Sequence, residues 1–270
     1  MIKVVSVETM RQIEAAADAA GLPYNQMMQN AGRAVAERAL ARLSNIASAR
    51  VTVLVGKGNN GGDGLVAGRF IAQESKAQVR FYLLEARTDD DPNFKAVQEA
   101  GLFLAYAADD QRYRVLHNLV TSAHVVIDAL FGIGFKPPFK GDAAKVVRAV
   151  QAAVADNEAP EEEHGRIIIP TQPEPTRQAA RPYIIAVDCP SGLDNDTGEI
   201  DKNTIPAAET VTFIAAKPGL FAPDAVESVG DLVVATIGIP PETEGLKDAK
   251  HTLVDSDTIR ALLPERPAGS

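Results

Sequence analysis

The sequence predicts an α/β domain built on a mostly parallel sheet. Short apolar runs of strand length alternate with helical stretches from Arg50 to Ala235. Several of these runs end in polar or glycine-rich turns. At 270 residues the chain is long enough to bury a large core between helices and sheet. Strands separated by helices pair in parallel, through right-handed crossovers.

The N-terminal region precedes the first sheet strand and is helical. Helical spacing predicts one helix over residues 9–20, capped by Ser6 or Thr9, and a second over Tyr24–Leu43; Gly21-Leu22-Pro23 separates them. Arg50–Val55 reads as a buried strand, residues 56–64 as a glycine-rich turn and residues 65–73 as a helix. The alternation continues with a strand over 79–84, helices over 93–100 and 113–120, a strand over 124–128 and a helix over 143–155. Tyr183–Val187, residues 209–214 and residues 232–235 complete the strands, with a short edge at 253–254. A stretch rich in glutamate and proline, residues 157–182, interrupts the pattern and reads as a solvated insertion. The expected organisation is one domain over residues 1–255 and a tail or linker over 256–270.

Composition narrows the function. Tryptophan is absent and aromatics are 5%, so aliphatic side chains must fill the core. A net charge of -9 with no long basic run disfavours nucleic acid. Anionic small molecules remain compatible, because backbone N–H groups and helix N-termini bind phosphate without net positive charge. The single cysteine, Cys189, excludes an intrachain disulfide and points to a reducing, cytoplasmic setting. The histidines lack metal-ligand spacing, no apolar run reaches membrane-spanning length, and the first residues do not form a signal peptide.

Chemistry concentrates in four turns, and in open parallel sheets such turns converge at the carboxyl ends of the strands. The first is Gly56-Lys-Gly-Asn-Asn-Gly-Gly-Asp-Gly64. A tight turn with Asp63 as helix cap explains one or two of these glycines. So dense a polar run fits close approach to a ligand instead. No lysine–serine or lysine–threonine pair follows, so it is not a P-loop. In the second turn Asp128 ends an apolar strand and must be capped, paired or coordinated; residues 132–138 follow. In the third, Asp188-Cys-Pro-Ser-Gly192, Ser191 lacks a nucleophile elbow and a histidine partner, and Cys189 reads as a small packing residue. The fourth carries Lys217, which reads first as an exposed turn lysine and second as a phosphate contact. Asn60, Asp128, Asp188 and Ser191 together offer hard oxygen ligands, which suit an alkali or alkaline-earth cation.

Gly58-Asn-Asn-Gly-Gly-Asp-Gly64, Asp128-Ala-Leu-Phe-Gly132, the run from Val187 to Gly198 and Lys217-Pro-Gly219 occur in this order. Together with the run from Gly230 to Pro240 they resemble the NAD(P)H-hydrate epimerase family, also called the YjeF N-terminal domain. The resemblance implies a Rossmann-like three-layer α/β/α sandwich. It implies an isomerase that interconverts the R and S forms of hydrated NADH and NADPH (NADHX and NADPHX), a metabolite-repair reaction. Substrate binding is then expected at Asn59, Asn60, Gly61, Gly62, Asp63, Gly132, Ile133, Gly134, Phe135, Lys136, Pro137, Pro138 and Asp188. One potassium ion per subunit is expected at Asn60, Asp128 and Ser191, with Asp188 as the general acid/base. Further expectations are a homodimer, no nucleic-acid or membrane partner, and a functional partnership with a hydrate dehydratase domain or protein. Two other classes stay open: a non-catalytic scaffold of the same fold, and a dinucleotide-dependent oxidoreductase, for which Glu85 would be the acidic ribose ligand.

Overall fold

The computed structural model describes residues 2–43, 46–156, 182–254, 259–260 and 263. Seven strands form one parallel sheet in the order β4-β3-β2-β5-β6-β7-β8. They are β2 (Arg50–Val55), β3 (Gln78–Leu83), β4 (Phe103–Tyr106), β5 (Val125–Ala129), β6 (Tyr183–Val187), β7 (Glu209–Phe213) and β8 (Asp231–Ala235). β1 (Lys3–Val4) pairs antiparallel with β9 (His251–Thr252) in a separate two-stranded sheet.

The central strands are buried on both faces, which is why they read as continuous apolar runs. Alternate side chains feed two cores. Val51, Val53, Val55, Phe81 and Ile127 pack against α1 (Val7–Ala19), α2 (Tyr24–Leu43), α3 (Asn59–Glu74) and α4 (Pro92–Glu99). Leu54, Tyr82, Val126 and Ala186 pack against α5 (Arg114–Thr121) and α6 (Gly141–Ala155). The result is the three-layer α/β/α sandwich that the resemblance implied. α1 starts because the Ser6 hydroxyl accepts the Thr9 N–H at 3.1 Å, so Ser6 is the cap.

Several expectations need correction. The predicted turn over 56–64 is half helix: Gly58 caps α3 with extended backbone, and Asn59 to Gly64 form its opening residues. Glycine persists there despite its poor helix propensity because the neighbours leave no room. A Cβ on Gly61 would strike the Gly56 carbonyl, and one on Gly62 would lie 2.7 Å from Met28 Sδ. Asp63 is therefore not a helix cap. β4 was not expected; Phe103 to Tyr106 is a short, half-exposed edge strand without alternating polarity. The predicted edge at 253–254 is β9, two residues earlier, and it pairs with β1 instead of the main sheet. The insertion falls almost wholly outside the described residues, as does the tail beyond residue 263.

Candidate active site at the switch point of the sheet

The chain builds outward from β2 in two directions, through β3 to β4 and then through β5 to β8. Such a reversal opens a crevice at the carboxyl ends of the two strands that flank it. Here those strands are β2, which leads into the glycine turn, and β5, which ends beyond Asp128. The two turns touch: a Cβ on Gly56 would collide with the Leu130 carbonyl, and one on Gly132 would lie 3.1 Å from Asn60 Oδ1.

Asp128 is fully buried. Its Oδ1 accepts the Ser191 hydroxyl at 2.6 Å and its Oδ2 accepts the Ser191 N–H at 2.8 Å. Burial holds its carboxyl above the usual range, and the Ser191 and Leu130 hydrogen bonds oppose that rise. Ser191 Oγ in turn accepts the Phe131 N–H at 3.0 Å. Ser191 is thus tied to a carboxylate on the neighbouring strand and is not a nucleophile. Near Gly132, the Nδ2 of Asn60 is buried and has no hydrogen-bond partner among the described residues. No group of three His, Cys, Asp or Glu residues among those described could hold a metal, so any cation here would depend on neutral oxygens as well.

Asp188 and Lys217 form the second part of the site. Asp188 follows β6 with φ 65°, a left-handed conformation that aspartate tolerates better than most residues. Lys217 was expected to be an exposed turn lysine; it is 1% exposed, and its Nζ lies 2.6 Å from Asp188 Oδ1 and 2.8 Å from Thr212 Oγ1. Thr212 Oγ1 donates to the same Asp188 oxygen at 2.9 Å. The reversal that carries Lys217 inward begins at Ile214, whose φ of 67° is costly for a β-branched side chain. Sequence gave no sign of that conformation.

Two further acids lie within electrostatic reach of Asp188. The carboxyl of Asp63, on the opening turns of α3, makes no hydrogen bond to a described residue. Burial, then the charges of Asp188 and Glu14, hold its carboxyl well above the usual range against a smaller pull from Arg87. Glu14 is raised by burial and then by Asp188. Sequence reasoning missed Glu14, although its position carried a signal: it lies between the buried Met10, Ile13 and Ala17 on the apolar stripe of α1. Arg87 was missed as well. Its Nε binds Asp91 at 2.6 Å and its Nη1 binds the Gly56 carbonyl at 2.7 Å, which braces the glycine turn.

The remaining predicted residues divide. Asn59, Gly61 and Gly62 line the N-terminus of α3 beside Arg87 and Met28. Gly134 faces α1, where a Cβ would lie 3.3 Å from Arg11 Nη2, and Ile133 packs on the larger core. Phe135 stacks with Phe131 and Phe139 at centroid distances of 5.3 and 4.5 Å. Lys136 binds both oxygens of Asp194 at 2.8 Å, and Pro137 and Pro138 are joined by a cis peptide bond. Cys189 is a buried packing residue, as expected; burial and the neighbouring Asp188 push its thiol up.

Fold and crevice together define a doubly wound α/β protein with an acid-lined site at its topological switch point. The chain belongs to the family described as YjeF-related protein N-terminus, whose model matches residues 24–219. It is 34% identical over 226 residues to the bifunctional NAD(P)H-hydrate repair enzyme Nnr of Pyrobaculum aerophilum, covering 83% of this chain and 39% of that protein. It is 30% identical to the NAD(P)H-hydrate epimerase of Rhodopirellula baltica, covering 82% of this chain and 78% of that one. The crystal structure of yeast ynu0 (YNL200c) superposes with a TM-score of 0.65 at 20% identity, covering 87% of this chain and 88% of the yeast chain. This chain thus spans about two fifths of the length of the first curated relatives it matches.

Proposed function

We propose that the protein interconverts the R and S epimers of hydrated NADH and NADPH. The observation that carries this reading is the set of opposed acids in the crevice. Asp188 is ion-paired to Lys217, whereas Asp63 is raised well above the usual range by burial and by the charges of Asp188 and Glu14. Two carboxyl groups whose surroundings treat them differently are suited to act as base and acid at one pH. In the hydrate the reacting ring carbon bears a hydroxyl and is bonded to the ring nitrogen. Protonation of the hydroxyl by Asp63 lets it leave as water, and the nitrogen lone pair forms the planar iminium ion. Water then adds from the other face and gives up its proton to Asp188, and proton exchange with solvent resets both groups. No electrons move between molecules, so no redox partner is needed. The relatives named as hydrate epimerase or hydrate repair enzyme support the same reading.

The donors also fit a potassium ion. Asp128 is a buried carboxylate without a cationic partner among the described residues, and Ser191 Oγ lies 3.5 Å from the Phe131 carbonyl. A rotation of the Asn60 amide exchanges its orphaned Nδ2 for a carbonyl oxygen. Asn60, Asp128 and Ser191 would hold the ion, which would supply positive charge beside the phosphates. The product epimer would then pass to a dehydratase that restores the cofactor.

Chromatographic resolution of the two epimers tests the reading. Purified protein should equilibrate R and S hydrates far faster than buffer does. Asp188→Asn should cost on the order of 10²–10⁴-fold in rate with the fold intact. Equilibration no faster than in buffer, at any potassium concentration, would overturn the assignment in favour of a scaffold.

A further inference from the structure

A second hollow lies on the other side of the switch point. β3 and β4 end at Leu83 and Tyr106, and the segments beyond them enclose a cleft of about 320 Å³. Phe94 and Tyr106 supply apolar wall, and Glu85, Asp89 and Asp109 supply carboxylates. Arg87 is the one basic side chain among the described residues of the lining. It stands between this cleft and the glycine turn, with Nε on Asp91 and Nη1 on the Gly56 and Gly58 carbonyls. Its Nη2 has no acceptor among the described residues and points to the opening of α3, where a Cβ on Gly62 would lie 3.9 Å away.

We propose, on the hydrate reading above, that this cleft takes the adenosine end of the substrate, with Arg87 on the pyrophosphate and Glu85 on the ribose, and that it favours the hydrate lacking a 2′-phosphate. The sheet order sets the distances. From β3 to β6 are three strand spacings, so the cleft lies about 14 Å from Asp188 along the strand ends. A dinucleotide laid across those ends meets cleft, glycine turn and Asp188 in the order adenosine, pyrophosphate and hydrated ring. The cleft is near the lower limit for small-molecule pockets, roughly 300–1,000 Å³, and so suits one end of the substrate and not the whole. Glu85 lies two residues beyond the end of β3, the strand that follows the glycine turn, where an acidic side chain in this type of sheet accepts ribose hydroxyls. It is half exposed and, among the described residues, held only by Lys57 at 3.2 Å, so it can turn to a ligand. A 2′-phosphate would enter beside the carboxylates of Glu85, Asp89 and Asp109, with Arg87 taken up by the pyrophosphate.

Calorimetric titration of the intact protein with ADP-ribose and with 2′-phospho-ADP-ribose tests the proposal. Neither compound carries the hydrated ring, so the result does not depend on turnover. ADP-ribose should bind about tenfold or more tightly than its 2′-phosphate. Glu85→Gln, a surface change, should shrink that gap to less than about threefold, and Gln98→Arg on the cleft wall should reverse it. Arg87→Met should weaken both ligands. No binding of ADP-ribose, equal binding of the two compounds, or an unchanged gap in Glu85→Gln would each overturn it. Hydrate turnover without ADP-ribose binding would remove the cleft alone. ADP-ribose binding without turnover would remove the epimerase reading and leave the cleft.

Discussion

Replacing Lys217 by methionine should destabilise the protein by an amount that the buried pair fixes. Methionine retains much of the unbranched side chain and removes the ammonium. Asp188, with a side chain only 12% exposed, is then left without its counter-charge, and Thr212 Oγ1 loses a donor. Removing one member of a buried ion pair costs about 3–5 kcal/mol. Asp188 borders the crevice and retains some contact with water, so the lower end, about 3 kcal/mol, applies. In a domain of this size that shifts the melting temperature by about 6–12 °C. Thermal melts followed by circular dichroism measure it directly. The double variant Lys217→Met/Asp188→Asn removes the stranded charge and should recover at least half of the loss. A single variant melting within about 2 °C of wild type, or a double variant no better than the single, would refute the view that Lys217 serves chiefly to neutralise Asp188.

Asp63→Asn should raise the melting temperature at pH 8 and lower epimerisation. An aspartate raised in the folded state contributes stability below its unfolded pKa and loses it as pH rises through the folded value, so the gain should shrink as pH falls and vanish by about pH 4; an equal gain at pH 8 and about pH 4 would contradict the assignment. Asp128→Ala should abolish any rise in melting temperature that potassium gives the wild type, and a rise that survives in the variant would place the ion elsewhere. Gly56→Ala drives a methyl group into the Leu130 carbonyl and should cost about 3 kcal/mol, whereas Gly58→Ala meets open space and should cost no more than about 1 kcal/mol; denaturant titration compares the two.

Much of this architecture was legible because it is periodic. Arg50–Val55 and Tyr183–Val187 are apolar runs of strand length with turn residues after them, and both ends of each agree with the structure. Asp128 and Ser191 were grouped as oxygen ligands at strand ends, one ending a strand and the other in the turn after the next, and they are hydrogen-bonded 63 residues apart in sequence. The failures have a common physical form: a contact with a distant residue overrides local preference. The glycines of α3 tolerate a helix because Met28, Arg87 and the Gly56 carbonyl crowd them. Lys217 looked like a surface lysine because nothing local reveals that Ile214 turns the chain inward or that Asp188 waits there. Glu14 lies some 170 residues from the acid it senses, and only the spacing of its apolar neighbours hinted at its burial.

The first strand bears on the order in which the site is completed during synthesis. The Lys3 carbonyl accepts the Ala216 N–H and the Val5 N–H donates to the Ala216 carbonyl, both at 2.9 Å, so residues made well before it hold the segment that delivers Lys217. Lys3 Nζ also reaches the Ala249 carbonyl at 2.6 Å. Glu14, Asp63 and Asp188 can be in the right strands and helices long before, yet the cationic partner of Asp188 cannot be docked until the chain beyond residue 217 has left the ribosome. A nascent chain at that stage would carry the strands through β6 and an incomplete crevice, with Asp188 unneutralised. Premature release at that stage would yield a folded body that is catalytically silent, which ribosome-arrested chains of graded length would reveal as a late step in activity with no matching step in protease resistance.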